Sequence, residues 1–192
     1  MLTCKADESL RRVEMDGFVF PLGVYPVERI KPRAGFTVEF EAGDEAADPT
    51  PREPDADWEQ WPDRYVYDIV VPHDRLATLA RQLIAIARAR IYPILDFLGH
   101  DAFREIDPYI AYDPVSLERF IDGYRRFRTF FIEDGMVGWG FMTEEPFFYV
   151  FIDEHKILTV RCEPDLRDTI DKLLEAFELQ EIDEPAGADA AA

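Results

Sequence analysis

Six consecutive apolar residues, Phe147-Phe148-Tyr149-Val150-Phe151-Ile152, constrain this chain more than any other stretch. Their aromatic and β-branched content makes a strand, and alternate side chains of a strand point to opposite faces. Phe147, Tyr149 and Phe151 face one way, and Phe148, Val150 and Ile152 the other. Such a strand is expected at the centre of a sheet, with both faces covered. The surrounding stretch, Arg128 to Cys162, follows the same grammar. Four short strand-like runs are separated by Asp134-Gly135, by Thr143-Glu144-Glu145-Pro146 and by Asp153-Glu154-His155, which predicts a four-stranded antiparallel meander. In the run before the apolar strand, Val137, Trp139 and Phe141 share one face, while Gly138 and Gly140 share the other. A glycine-lined face admits something close: a packed helix, or a ligand.

Other strands read from Gly17-Phe18-Val19-Phe20, from Gly35 to Glu41, where Phe36, Val38 and Phe40 alternate with polar residues, and from Tyr65 to Val71. Three stretches have helical apolar spacing. The first follows Pro72-His73-Asp74, with Asp74 as its cap and Leu76, Leu79, Leu83 and Ile86 on one face; His73 reads as a turn residue. The second follows Asp113-Pro114, with Asp113 as its cap and Leu117, Phe120, Ile121, Tyr124 and Phe127 buried. The third follows Glu163-Pro164-Asp165, with Leu166, Ile170, Leu173, Leu174 and Phe177 as its stripe. Ile94 to Gly99 suits either a helix ending at the glycine or a strand, and Tyr109 to Tyr112 a short strand. The sum is an α+β chain: a single domain over 17–179, its mostly antiparallel sheet packed by about three amphipathic helices.

Three segments fall outside that domain core. Residues 1–16 are mixed and polar, and are expected to be mobile. The stretch 42–63 holds eight acids against one arginine and no aliphatic side chain larger than alanine, so it reads as a disordered acidic loop. Trp58 and Trp61 near its end would dock on the fold or serve a partner as a short motif. Residues 180–192, acidic and alanine-rich, read as a disordered tail. The net charge is −19; taking away the −7 of the loop and the −4 of the tail leaves −8, ordinary for a domain surface.

That charge argues against sequence-independent nucleic-acid binding and against anionic membranes, both of which need clustered cations. Cys4 and Cys162 are too few and too far apart for a disulfide framework or a zinc motif. The first residues contain no apolar signal-peptide core, and no apolar run is long enough to span a bilayer. A reducing cytoplasm is the expected compartment.

No phosphate loop, nucleophile elbow or metal-binding spacing is present. Chemistry has two candidate places. In a meander, the turns at Asp134-Gly135 and Asp153-Glu154-His155 fall at one sheet edge, so Glu133, Asp134, Asp153, Glu154 and His155 gather on a rim. Carboxylates with one imidazole suit Mn, Zn or Mg, or proton transfer near neutral pH; turn-forming side chains are the alternative reading, and Lys156 next door weakens the metal case. The second place is His100-Asp101 with Arg104, Glu105 and Asp107, a general base oriented by an acid or a salt-bridged corner. On balance the sequence points to a non-catalytic protein-interaction or regulatory module without a cofactor, using an apolar sheet face for a partner or a second copy. A metal-assisted or acid–base hydrolase working from the rim, with His100 and Asp101, is the alternative.

Overall fold

The computed structural model describes residues 12–22, 31–43, 62–88, 90–97, 109–111 and 113–188. The described residues open with a hairpin, β1 (Glu14–Met15) and β2 (Phe18–Val19), turned by Asp16 and Gly17. Both turn residues have positive φ, 51° and 80°, the backbone of a tight hairpin turn and the reason an Asp-Gly pair sits there. Strands β3 (Gly35–Glu41) and β4 (Arg64–Val70) form a second hairpin, paired from Gly35↔Val70 to Glu41↔Arg64. Helix α1 (His73–Ile86) follows, then β5 (Arg90–Phe97), β6 (Tyr109–Ile110) and β7 (Val115–Ser116). Helix α2 (Leu117–Glu133) leads into the consecutive strands β8 (Val137–Thr143), β9 (Phe148–Ile152) and β10 (Leu158–Cys162). One 3-10 turn, Pro164–Leu166, opens helix α3 (Arg167–Ala176).

The main sheet has the order β3-β4-β10-β9-β8-β5-β6, with β7 also on β5, and every strand pair is antiparallel. The expected α+β architecture is therefore present, with β9 central. The first of the four predicted meander runs is not a strand, however. Arg128 to Glu133 is the end of α2, because the run continues the helical stripe of Tyr124 and its apolar content is equally compatible with a helix. The ambiguous run before Gly99 is a strand, β5, and its Pro93 falls in the gap between the β6 and β7 pairings, where a missing N–H is tolerated.

All three helices of the described residues cover the same face of the sheet. Leu76, Leu79 and Leu83 of α1, Tyr124 and Ile132 of α2, and Ile170 and Leu174 of α3 share one core with Tyr67, Trp139, Phe141, Val150, Ile152 and Val160. The opposite face of β9 carries Tyr149 and Phe151, each only partly buried, so no helix of the described residues covers it. Its glycine strip is not open. A Cβ on Gly138 would lie 2.7 Å from Cζ of Phe151, and one on Gly140 only 2.0 Å from the carbonyl oxygen of Val150. The neighbouring strand itself fills the space that the sequence leaves for a helix or a ligand.

Helix caps also differ from expectation. Pro72 precedes α1, with Asp74 inside the first turn. Ser116, not Asp113, caps α2, its Oγ accepting from the Arg119 N–H at 3.3 Å; the bridge of β7 to β5 delays the helix start. The tail is engaged as far as 188. Gln180 and Ile182 exchange main-chain bonds with Phe36, Ala186 bonds to Arg33, and Ala188 is buried against the hairpin with Phe18 and Phe20. Backbone hydrogen bonds need no apolar stripe, which is why composition is silent on them.

Candidate functional site

Of the five residues expected on the rim, Asp153, Glu154 and His155 are grouped, and the turn at Asp134-Gly135 joins a helix to a strand instead of two strands. Asp153, Glu154 and His155 each place one ligand-type atom within 4.8 Å of the others. Glu133 and Asp134 end α2 at the same edge. Their side chains are already engaged. The Asp134 carboxylate accepts from the Met136 N–H at 2.9 Å and that of Asp153 from the Ile157 N–H at 2.8 Å, both local turn bonds. Burial raises the Asp153 carboxyl, with the Ile157 N–H opposing. His155 Nδ1 lies 3.5 Å from Glu154.

The centre of this edge is a residue that the sequence offered only as a nuisance. Lys156 is buried, at a positive φ of 66°. Its Nζ donates to the Val137 carbonyl at 2.7 Å and to the Phe131 carbonyl at 3.3 Å. Phe131 lies in the last turn of α2, which has no basic residue of its own, so Lys156 supplies from the turn between β9 and β10 the cation that a helix C-terminus favours. Burial lowers its pKa to about 8 against the pull of Asp153, Asp134, Glu154 and Glu133.

Glu133 turns away from the rim. It pairs with Arg12 from the N-terminal segment, and its Oε2 lies 3.3 Å from Nε2 of His73. Burial alone would raise the Glu133 carboxyl, but Arg12 and His73 outweigh it and hold it below its usual range. His73 is not a turn residue. It is the first residue of α1 and 4 % exposed, and neither ring nitrogen completes a hydrogen bond among the described residues. Burial and the Arg12 charge depress its pKa, with Glu133 opposing. The edge thus reads as a structural junction in which Lys156, His73 and Arg12 lock α2, α1 and the first hairpin together. His100, Asp101, Arg104, Glu105 and Asp107 lie outside the described residues, as do Cys4, Trp58 and Trp61. Cys162 is buried and its thiol is pushed up to about 12, which makes it unreactive.

A different feature has the geometry of a binding site. Between α2 and strands β5 and β8 runs an open groove of about 250 Å³ with an almost wholly apolar lining. Its walls include Leu95, Phe120, Phe127 and Trp139. Trp139 is stacked between Tyr124 and Phe131, with ring centroids 5.1 and 5.3 Å away. Its indole N–H is buried and has no acceptor among the described residues, although a buried donor left unmade costs about 1–3 kcal/mol. Gly123 faces the groove from mid-helix, where glycine costs about 1 kcal/mol relative to alanine, yet a Cβ there would meet nothing within 4 Å. Phe127, expected in the core, is instead 50 % exposed, and Phe130 38 %. Helical periodicity could assign these residues to one face but could not say that the face is incompletely covered.

No family model, curated protein or solved structure matches this chain.

Proposed function

We propose that the protein is a non-catalytic interaction or regulatory module of the cytoplasm, and that it binds through the groove under α2. The observation that carries this reading is an apolar groove walled by Phe120, Phe127 and Trp139 with the charged Arg119 among its lining residues. Apolar pockets with a few placed polar groups are the usual form of a binding site. Gly123 supports the same reading, since it keeps open a space that nothing in the fold requires. The helix-free sheet face is a poorer seat: Arg161 lies over Tyr149 at 5.6 Å, and Thr159 bonds to Asp68 at 2.9 Å, so polar groups already cover much of it. The rim residues are engaged in turn and junction bonds, which favours a structural part over catalysis for them.

The test uses a neutral apolar fluorophore, N-phenyl-1-naphthylamine, titrated into the parent protein and into Gly123→Leu and Phe127→Asp. Gly123→Leu places a side chain into the groove, and Phe127→Asp puts a charge on its wall. Saturable fluorescence enhancement in the parent, lost in both variants while their melting curves stay cooperative, is the expected outcome. Equal enhancement in all three proteins, or none in the parent, would remove the groove as the site.

A further inference from the structure

We infer that the groove takes a small amphipathic anion, an apolar body ending in a carboxylate. This rests on the groove being the binding site and goes on to its ligand chemistry. Three observations lead there. The first is size. A volume of about 250 Å³ falls just below the ~300–1,000 Å³ of drug-sized ligand pockets, so the occupant is a small molecule and not a folded surface.

The second is the cation at the groove. Arg119 lines it, is exposed, and among the described residues makes no ion pair. A guanidinium fork matches a carboxylate in two-point geometry.

The third is local charge. Helix α2 holds four arginines, Arg119, Arg125, Arg126 and Arg128, against Glu118, Asp122 and Glu133. Of those acids, Glu133 is taken by Arg12 and His73, and Asp122 lies 4.0 Å from Arg125. A chain of net charge −19 thus carries more arginines than acids on the helix that walls the groove. An anion is repelled by most of the surface and attracted at this place, and such charge patterning steers a ligand to its site.

The probes are octanoate, octanol and octylamine, each titrated against bound N-phenyl-1-naphthylamine in the parent and in Arg119→Gln. The emission of Trp139 is followed in parallel in a Trp58→Phe/Trp61→Phe background. Octanoate is expected to displace the dye at least about tenfold more strongly than octanol, the weight of one charge-assisted hydrogen bond. Octylamine should be weaker than both. Arg119→Gln should remove most of the octanoate advantage and leave octanol unchanged, and octanoate should shift the Trp139 emission. Equal displacement by octanoate and octanol, unaffected by Arg119→Gln, would overturn the anion assignment while leaving the groove as a binding site. Displacement by octylamine alone would overturn it also. If the dye itself fails to bind the parent, the groove reading and the ligand class fall together.

Discussion

The ring of Phe151 occupies the space over Gly138. Its Cζ lies 2.7 Å from where a Cβ of Gly138 would stand, one strand away. Gly140 is the directly paired partner of Phe151, and Gly138 is its diagonal neighbour. A large ring on β9 and two bare positions on β8 are thus one feature. It shields the helix-free face of the sheet without a second layer.

That relationship sets the cost of losing the ring. Phe151 is only partly buried, whereas Phe148, on the helix-covered face, is 1 % exposed. Phe148→Ala is expected to cost ~3–5 kcal/mol, as for a fully buried phenylalanine, and Phe151→Ala about half of that. Equilibrium urea unfolding of both variants tests the order. A larger loss at Phe151 would mean that its face is as tightly packed as the helix side.

The two glycines differ in what a methyl group would strike. At Gly138 the nearest atom is the far end of the Phe151 ring, which can swing; at Gly140 it is the Val150 carbonyl oxygen at 2.0 Å, part of the ladder itself. Gly138→Ala should therefore cost about 1 kcal/mol, and Gly140→Ala about 3 kcal/mol or more, the upper range of overpacking. Thermal melts of the two proteins should show this separation.

The acidic stretch between β3 and β4 should be replaceable. Glu41 and Arg64 are paired in the ladder and joined by an ion pair of 2.6 Å, and the Gly43 N–H donates to Asp63 at 2.7 Å. The two ends to be joined therefore already lie together. Replacing residues 44–61 by a short Gly/Ser turn should change stability by less than about 1–2 kcal/mol, since closure entropy grows slowly with loop length. Loss of a cooperative transition in that variant would show that the segment is part of the core.

Acid should weaken the junction through His73. Its folded-state pKa lies below the ordinary 6.5, so in mildly acidic solution the unfolded chain binds a proton that the folded chain refuses. Stability then falls as pH drops from about 6.5 towards the depressed value. Glu133 is also depressed and adds a loss of the same sign, but only below about 4.5. Asp153, raised by burial, acts in the opposite sense. His73→Gln should flatten the stability profile between about pH 5 and 6.5, the range in which histidine titrates. An identical slope in parent and variant would clear His73 of the effect.

The rim should not respond to metal. Asp153 is held by the Ile157 N–H, and Lys156 adds a cation beside it. Melting curves of the parent with Mn, Zn, Mg or Ca are expected to superimpose, and His155→Ala to stay within about ±0.5 kcal/mol. A rise in melting temperature with one ion, abolished in both His155→Ala and Asp153→Ala, would instead establish a metal centre there.

Local pattern determined much of this protein. Alternation over Phe147 to Ile152 made β9 central, the stripes of Leu76, Ile170 and their neighbours made helices, and the spacing of turns placed Asp134 and Asp153 at one edge. Each of these depends on contacts within a few residues or on the fixed geometry of a strand. Long-range partners were decided elsewhere. Nothing near Lys156 in sequence says that it closes α2, since its acceptors are the carbonyls of Phe131 and Val137. Nothing near His73 says that Arg12 and Glu133 meet it. The groove depends on how α2 sits against β5 and β8. Periodicity tells which face of a helix is apolar, while the amount of that face left uncovered is set by the packing of three separate elements. Tertiary structure alone could therefore expose Phe127, leave the Trp139 N–H without an acceptor and give Gly123 its open space.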